Sequence, residues 1–217
     1  MDHTRHAGIF DASRWPVTLI GAGGIGALTA ITLAKMGVPY LKIYDPDAVS
    51  GVNIATQFYR HFDVERAKVD ALRETVGQFA DDVSVDVAAS SIACFESSPE
   101  DITNPIIISA VDSIHARQEI WEVVRCAPFR WYLDARMGAE VFQLYAVSGS
   151  ETGWYDRLML VQDDRNVPDE PCTAKATIYT ACIAAGQIGL VLREIVTGST
   201  PPKFMVHDIR SRSIVVP

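Results

Sequence analysis

The sequence predicts an α/β protein with a doubly wound sheet, parallel in its amino-terminal half and extended by antiparallel strands in its carboxy-terminal half. Three observations point there. Short apolar runs alternate with helix-period segments up to Arg125. A glycine turn, Gly21-Ala22-Gly23-Gly24-Ile25-Gly26, joins the first strand to the first helix. Beyond Arg130 the texture changes to two adjacent strand-like segments and, at the end of the sequence, a hairpin pattern.

Taken in order, Pro16–Ile20 is an apolar run ending in glycine, as expected of a strand buried on both faces. Helical spacing follows from about Ile25 to Met36 and stops at Gly37. Tyr40–Tyr44 is the second strand. Residues 64–79 have helical spacing, with Val64, Ala67, Ala71, Leu72 and Val76 on one face. Val83–Val87 and Pro105–Val111 read as strands, and Asp112-Ser113 opens a helix to about Arg125. Arg130–Met137 and Glu140–Val147 read as strands. Residues 148–175 form a long polar loop, an arrangement that tends to be functional or mobile. A mostly buried helix spans 173–198, closed by Gly198, and 203–209 with 212–216 make the terminal hairpin.

A chain of 217 residues is most simply one domain with a substantial core. Its net charge of −8 argues against a nucleic-acid surface or an anionic membrane partner. The four cysteines, Cys94, Cys126, Cys172 and Cys182, contain no CxxC pair, so no zinc site is expected. Scattered thiols suit a reducing, cytoplasmic setting. The first residues lack the apolar stretch of a signal peptide. Pro16–Ala34 and Ala176–Leu192 are uncharged but broken by Gly, Thr and Gln, and read as buried structure.

Gly21, Gly23 and Gly26 match G-x-G-x-x-G between a strand and a helix, the context in which backbone N–H groups and a helix dipole receive phosphates. Asp45, at the end of the next strand, is placed to accept hydrogen bonds from ribose hydroxyls. By itself the turn leaves a dinucleotide and a mononucleotide open, as well as a purely packing role. Asp47, Asn53 and Gln57 follow on one segment, Lys68 on the next helix, and Asp112 at the end of a later buried strand. Ligands of open α/β sheets gather at the carboxyl ends of strands, so Asp45 and Asp112 should face one crevice. A lysine and an extra carboxylate there suit a polyphosphate and its Mg²⁺ better than a nicotinamide.

Taken together, GAGGIG, YDPDAVSGVN, RAKVDAL and SAVDSIHAR resemble the ThiF/MoeB/HesA family, the catalytic core of ubiquitin-activating enzymes, over about residues 15–125 and again from Cys172 to Gly198. The resemblance implies a Rossmann-like adenylation domain. Gly24, Asp45 and Asn53 would contact ATP, Lys68 would bind phosphates, and Asp112 would hold Mg²⁺. The partner would be a small ubiquitin-like or sulfur-carrier protein ending in Gly-Gly, and the assembly a homodimer. Cys172, before the last long helix, stands where the family often places a thioester- or persulfide-forming cysteine; Cys182, inside the apolar helix, reads as core. The sequence departs from the pattern at Thr56, where the family usually has arginine. Gln57 keeps the next position, and Arg60 lies one turn on as a candidate substitute. Arg5 and Arg14 are the arginines available to reach a partner subunit. The apolar strands Trp131–Leu133 and Val141–Val147 add a reason for a dimer, since a symmetric partner would cover them. An NAD-dependent oxidoreductase and a non-catalytic binding scaffold are the rival readings.

Overall fold

In a computed structural model, residues 1–90, 102–162 and 176–216 are described. Eight strands form one sheet in the order β3-β2-β1-β4-β5-β6-β7-β8. The strands β1 (Val17–Ile20), β2 (Tyr40–Tyr44), β3 (Ser84–Ala88), β4 (Ile106–Ser109) and the first half of β5 (Trp131–Gly138) pair in parallel. β6 (Val141–Ser148), β7 (Phe204–Asp208) and β8 (Ser213–Val215) then continue the sheet antiparallel. The fold is Rossmann-like, parallel first and antiparallel after, as the sequence predicts.

Alternation along each strand divides the core into two layers. Leu19, Ile43, Ile106, Ile108, Leu133 and Leu144 face one side, where α1 (Gly24–Lys35), α2 (Lys68–Phe79) and α5 (Ile178–Val196) cover them. Ile107, Tyr132, Tyr145 and Val147 face the other, under α3 (Ile114–Val124) and α4 (Gly153–Val161). Tyr132, Leu133, Phe142, Leu144 and Val147 are therefore buried within the chain. The late strands need no symmetric partner to cover them, and that physical reason for a dimer falls away. α5 is long and apolar enough to cross a membrane, yet half of that stretch is buried, and it packs against α1, β5 and β6.

Other boundaries differ from expectation for local reasons. The second helix begins only at Lys68, because Glu65 takes a positive φ of 72° and a 3₁₀ turn occupies His61–Asp63. The polar stretch after β6 contains a helix, α4, which has no side-chain cap and buries only Tyr155 and Met159, too little to register as a periodic pattern. Cys182 is exposed rather than core. The buried stripe of α5 runs through Ala181, Ala184, Ala185 and Ile188, which leaves residue 182 facing outward. Cys94 and Cys172 lie outside the described residues.

Candidate functional site

The crevice lies where the strand order reverses, between β1 and β4, at the carboxyl ends of the strands. Gly21 leaves β1 with φ 96°, and a β-carbon there would stand 2.7 Å from the Ala110 carbonyl oxygen. Gly26 has no room at all: its β-carbon would lie 1.9 Å from the carbonyl oxygen of Gly21. Gly23 is different. Among the described residues no atom lies within 4 Å of its missing side chain, so the fold itself does not demand glycine there. Gly23 caps α1 without a side-chain hydrogen bond, and the helix has no acidic residue in its first turn. Its first N–H groups are thus available to an anion. The space at Gly24 is taken up by protein, with the Thr56 carbonyl oxygen at 3.0 Å from a built β-carbon.

Residue Asp45 is buried at the end of β2 and braces this turn. Its Oδ2 accepts from the Ala22 N–H at 2.7 Å and its Oδ1 from the Asp47 N–H at 2.8 Å. Each oxygen keeps a second lone pair for a ligand hydroxyl. Burial pushes the Asp45 carboxyl up, against the opposing pull of the Ala22 N–H and the Lys68 ammonium. Lys68, also buried, places Nζ 2.7 Å from Asp47 and 3.8 Å from Asp45. Asp47 is the wetter partner, at 63% side-chain exposure, so its hold on Lys68 is the one an arriving phosphate would contest.

The segment 51–59 packs over the turn. Tyr59 donates its hydroxyl to the Ala22 carbonyl at 2.6 Å. Asn53 spends Oδ1 on the Ser50 N–H and hydroxyl, at 2.9 and 3.0 Å, closing a 3₁₀ turn. Gln57 buries Oε1 with no hydrogen-bond partner among the described residues, an acceptor that a ligand N–H would satisfy. Arg60 does not substitute for the arginine missing at Thr56. Its guanidinium is held by Asp63, Glu74 and Gln78 and lies over the Phe62 ring, so all three of its nitrogens are engaged away from the turn.

Three residues past the end of β4 stands Asp112, exposed, its carboxylate without a hydrogen-bond or ion-pair partner among the described residues. Ser113, not Asp112, caps α3: its Oγ accepts from the Ala116 N–H at 3.1 Å. No group of three or more His, Cys, Asp or Glu gathers among the described residues. One or two carboxylates completed by phosphates is the donor set Mg²⁺ commonly uses, and Asp112 fits it. Arg5 and Arg14 are both exposed, and the amino terminus is tied to its own chain, the terminal amine to Asp81 at 3.1 Å and His3 to Asp82 at 2.9 Å.

Sequence reasoning missed a buried charged cluster behind the crevice. Arg117 of α3 pairs with Asp134 of β5, and Asp134 also accepts from Arg136 Nε at 2.7 Å and the Tyr155 hydroxyl at 2.6 Å. Two charges at i and i+2 in an otherwise apolar strand were the available signal. Burial works to raise the Asp134 carboxyl, but Arg117 and Arg136 outweigh it and hold the group below its usual range. Its stabilisation is therefore complete above the unfolded carboxylate value of about 3.9 and is lost as pH falls through the lower folded value. Asp134→Asn is expected to cost about 3 kcal/mol near neutral pH, because the buried Arg117 and the partly buried Arg136 lose their counter-charge. Urea unfolding across the acid range should show the two proteins converging below about pH 4. A difference that stays constant throughout would contradict this account.

The fold, with a glycine turn at its switch point, defines a Rossmann-like α/β protein. The chain belongs to the ThiF family, whose model matches residues 3–212. It is 28% identical over 120 residues to ubiquitin-like modifier-activating enzyme 5 of Arabidopsis thaliana, a match covering 48% of this chain and 28% of that protein. The Bombyx mori protein of the same name is 27% identical over 127 residues, with 54% and 32% covered. The chain thus spans about a third or less of these relatives. Among solved structures, PaaA superposes with a TM-score of 0.72 at 20% identity, covering 94% of this chain and 64% of its own. Microcin C7 biosynthetic enzyme MccB, solved with N-formylated MccA, gives 0.75 at 16% identity, with 95% and 65% covered. E. coli MccB solved with ATP gives 0.70 at 14%, with 95% and 64% covered.

Proposed function

We propose that this chain is an adenylating domain that uses Mg·ATP to activate the C-terminal carboxylate of a small ubiquitin-like or sulfur-carrier protein. The observation that carries the reading is the convergence of an open glycine turn, a buried lysine and an unpartnered aspartate at the carboxyl ends of β1, β2 and β4. A carboxylate is a poor electrophile, because its charge repels nucleophiles and oxide leaves badly. Attack of that carboxylate on the α-phosphorus of ATP forms the acyl–O–P bond and releases pyrophosphate. In this chain the α1 N-terminus would receive phosphate oxygens, Asp45 the ribose hydroxyls, and Lys68 the charge growing on the departing pyrophosphate. Asp112 would hold Mg²⁺, which neutralises the phosphates when bound.

The names of the relatives support a protein or peptide substrate. A Gly-Gly terminus, onward transfer through Cys172, a homodimer completed by Arg5, and a cytoplasmic setting belong to the same proposal. Exchange of labelled pyrophosphate into ATP tests it, with small proteins ending in Gly-Gly and short peptides as acceptors. Exchange should require a free carboxyl terminus and vanish with C-terminal amides. Acceptor binding without exchange would favour a scaffold, the reading that Thr56 and the committed Arg60 support; tight NAD binding would favour an oxidoreductase.

A further inference from the structure

The buried cluster behind the crevice has a geometric relation to Asp112 that its stability role does not require. β4 and β5 pair through Ser109 and Asp134, where their ladder ends. Beyond that point Arg117 Nη2 donates to the Val111 carbonyl and, at 3.1 Å, to the Ala135 carbonyl, while Nη1 meets Asp134. The guanidinium therefore occupies the place where the ladder stops and ties the turn after β4 to β5. Asp134 is itself fixed by Arg136 and by Tyr155 of α4. On the other side of Asp112, Ser113 is fixed as the cap of α3. Asp112 is thus clamped at both neighbours while its own carboxylate stays exposed and unpartnered among the described residues.

Burying Arg117 with Asp134 is costly and a weak source of stability, since apolar side chains of similar volume often serve as well. A carboxylate that must meet a metal in one geometry gains from such a frame, because supports behind a ligand tune metal affinity. We propose that Arg117 is a positioning residue for Asp112, holding the β4–α3 turn so that the carboxylate is preorganised for a divalent cation bound with ATP. This rests on the assignment of Asp112 in the proposed function.

The test is Mn²⁺ binding to the protein–ATP complex, followed by the electron paramagnetic resonance signal of free Mn²⁺, with metal-free ATP affinity measured in chelator. Asp112→Asn and Arg117→Gln are each expected to weaken Mn²⁺ binding about tenfold or more, as loss of a ligand or of its support does. Metal-free ATP affinity should stay within about twofold in Arg117→Gln, and the double variant should bind Mn²⁺ no more weakly than Asp112→Asn alone, because Arg117 acts through Asp112. In Arg117→Gln the Asp134 carboxylate keeps Arg136 as its partner, which favours folding. If that variant nonetheless loses cooperative unfolding, Arg117→Lys decides, with the same weakened Mn²⁺ binding expected, since it keeps the charge but lacks the planar fork that spans Asp134 and the two carbonyls. Wild-type Mn²⁺ affinity in the arginine variant, or losses that multiply in the double variant, would overturn the inference while leaving Asp112 in place. Wild-type affinity in Asp112→Asn would overturn both.

Discussion

Gly26→Ala is expected to destabilise the protein by on the order of 3 kcal/mol or more and to remove nucleotide binding with it. A methyl group cannot stand 1.9 Å from the Gly21 carbonyl oxygen, and the neighbouring atoms that would have to move are backbone. Gly21 cannot yield easily either, because its own φ is positive and it abuts Ala110. Gly23→Ala should behave in the opposite way. Its methyl enters open space on the face of the turn, so unfolding should shift little while ATP affinity falls about tenfold, the backbone no longer approaching the phosphates as closely. Chemical unfolding and nucleotide titration on the same two variants separate the roles. Equal stability losses in both would show that the turn is there only for packing.

Lys68→Ala is expected to lower pyrophosphate exchange roughly a hundredfold, the scale of losing a preorganised charge stabiliser. The ammonium is buried yet shared between a buried and an exposed carboxylate, so it is held near the turn without being locked away. Its loss should cost little stability. Its closest carboxylate, Asp47, is largely exposed and free to turn to water, and Asp45, 3.8 Å away, keeps its hydrogen bonds from the Ala22 and Asp47 N–H groups. An exchange rate within a few-fold of wild type would remove Lys68 from the phosphate site. A large drop in unfolding stability would make its role structural.

Much of the frame was legible because buried parallel strands advertise themselves. Val17–Ile20 and Ile106–Ser109 are apolar but for one small hydroxyl residue each, Tyr40–Tyr44 is broken only by Lys42, and their order with the intervening helices leaves few topologies. The residues at this end of the sheet were legible for the same reason, since Asp45 and Asp112 follow β2 and β4, the two strands that flank β1 in parallel. Other features depend on contacts that no local pattern encodes. Arg60 sits one turn past Thr56, but Asp63 and Glu74 claim it, and only the folded path of 60–74 brings them together. α4 stays hidden because it is held by contacts of Tyr155 and Asp156 with Asp134 of β5 and Trp121 of α3 rather than by its own periodicity. The surface apolarity inferred for the late strands vanished once α5 and α3 were laid against them.

The central claim is that a carboxylate attacks the α-phosphorus of ATP in this crevice. The direct measurement uses an acceptor that drives exchange, with its terminal carboxyl group enriched in ¹⁸O, and follows the label by mass spectrometry after full turnover with hydroxylamine as trap. The account predicts AMP carrying one ¹⁸O atom, unlabelled pyrophosphate, and the acceptor recovered as its hydroxamate. Unlabelled AMP, or release of ADP and phosphate instead, would contradict it.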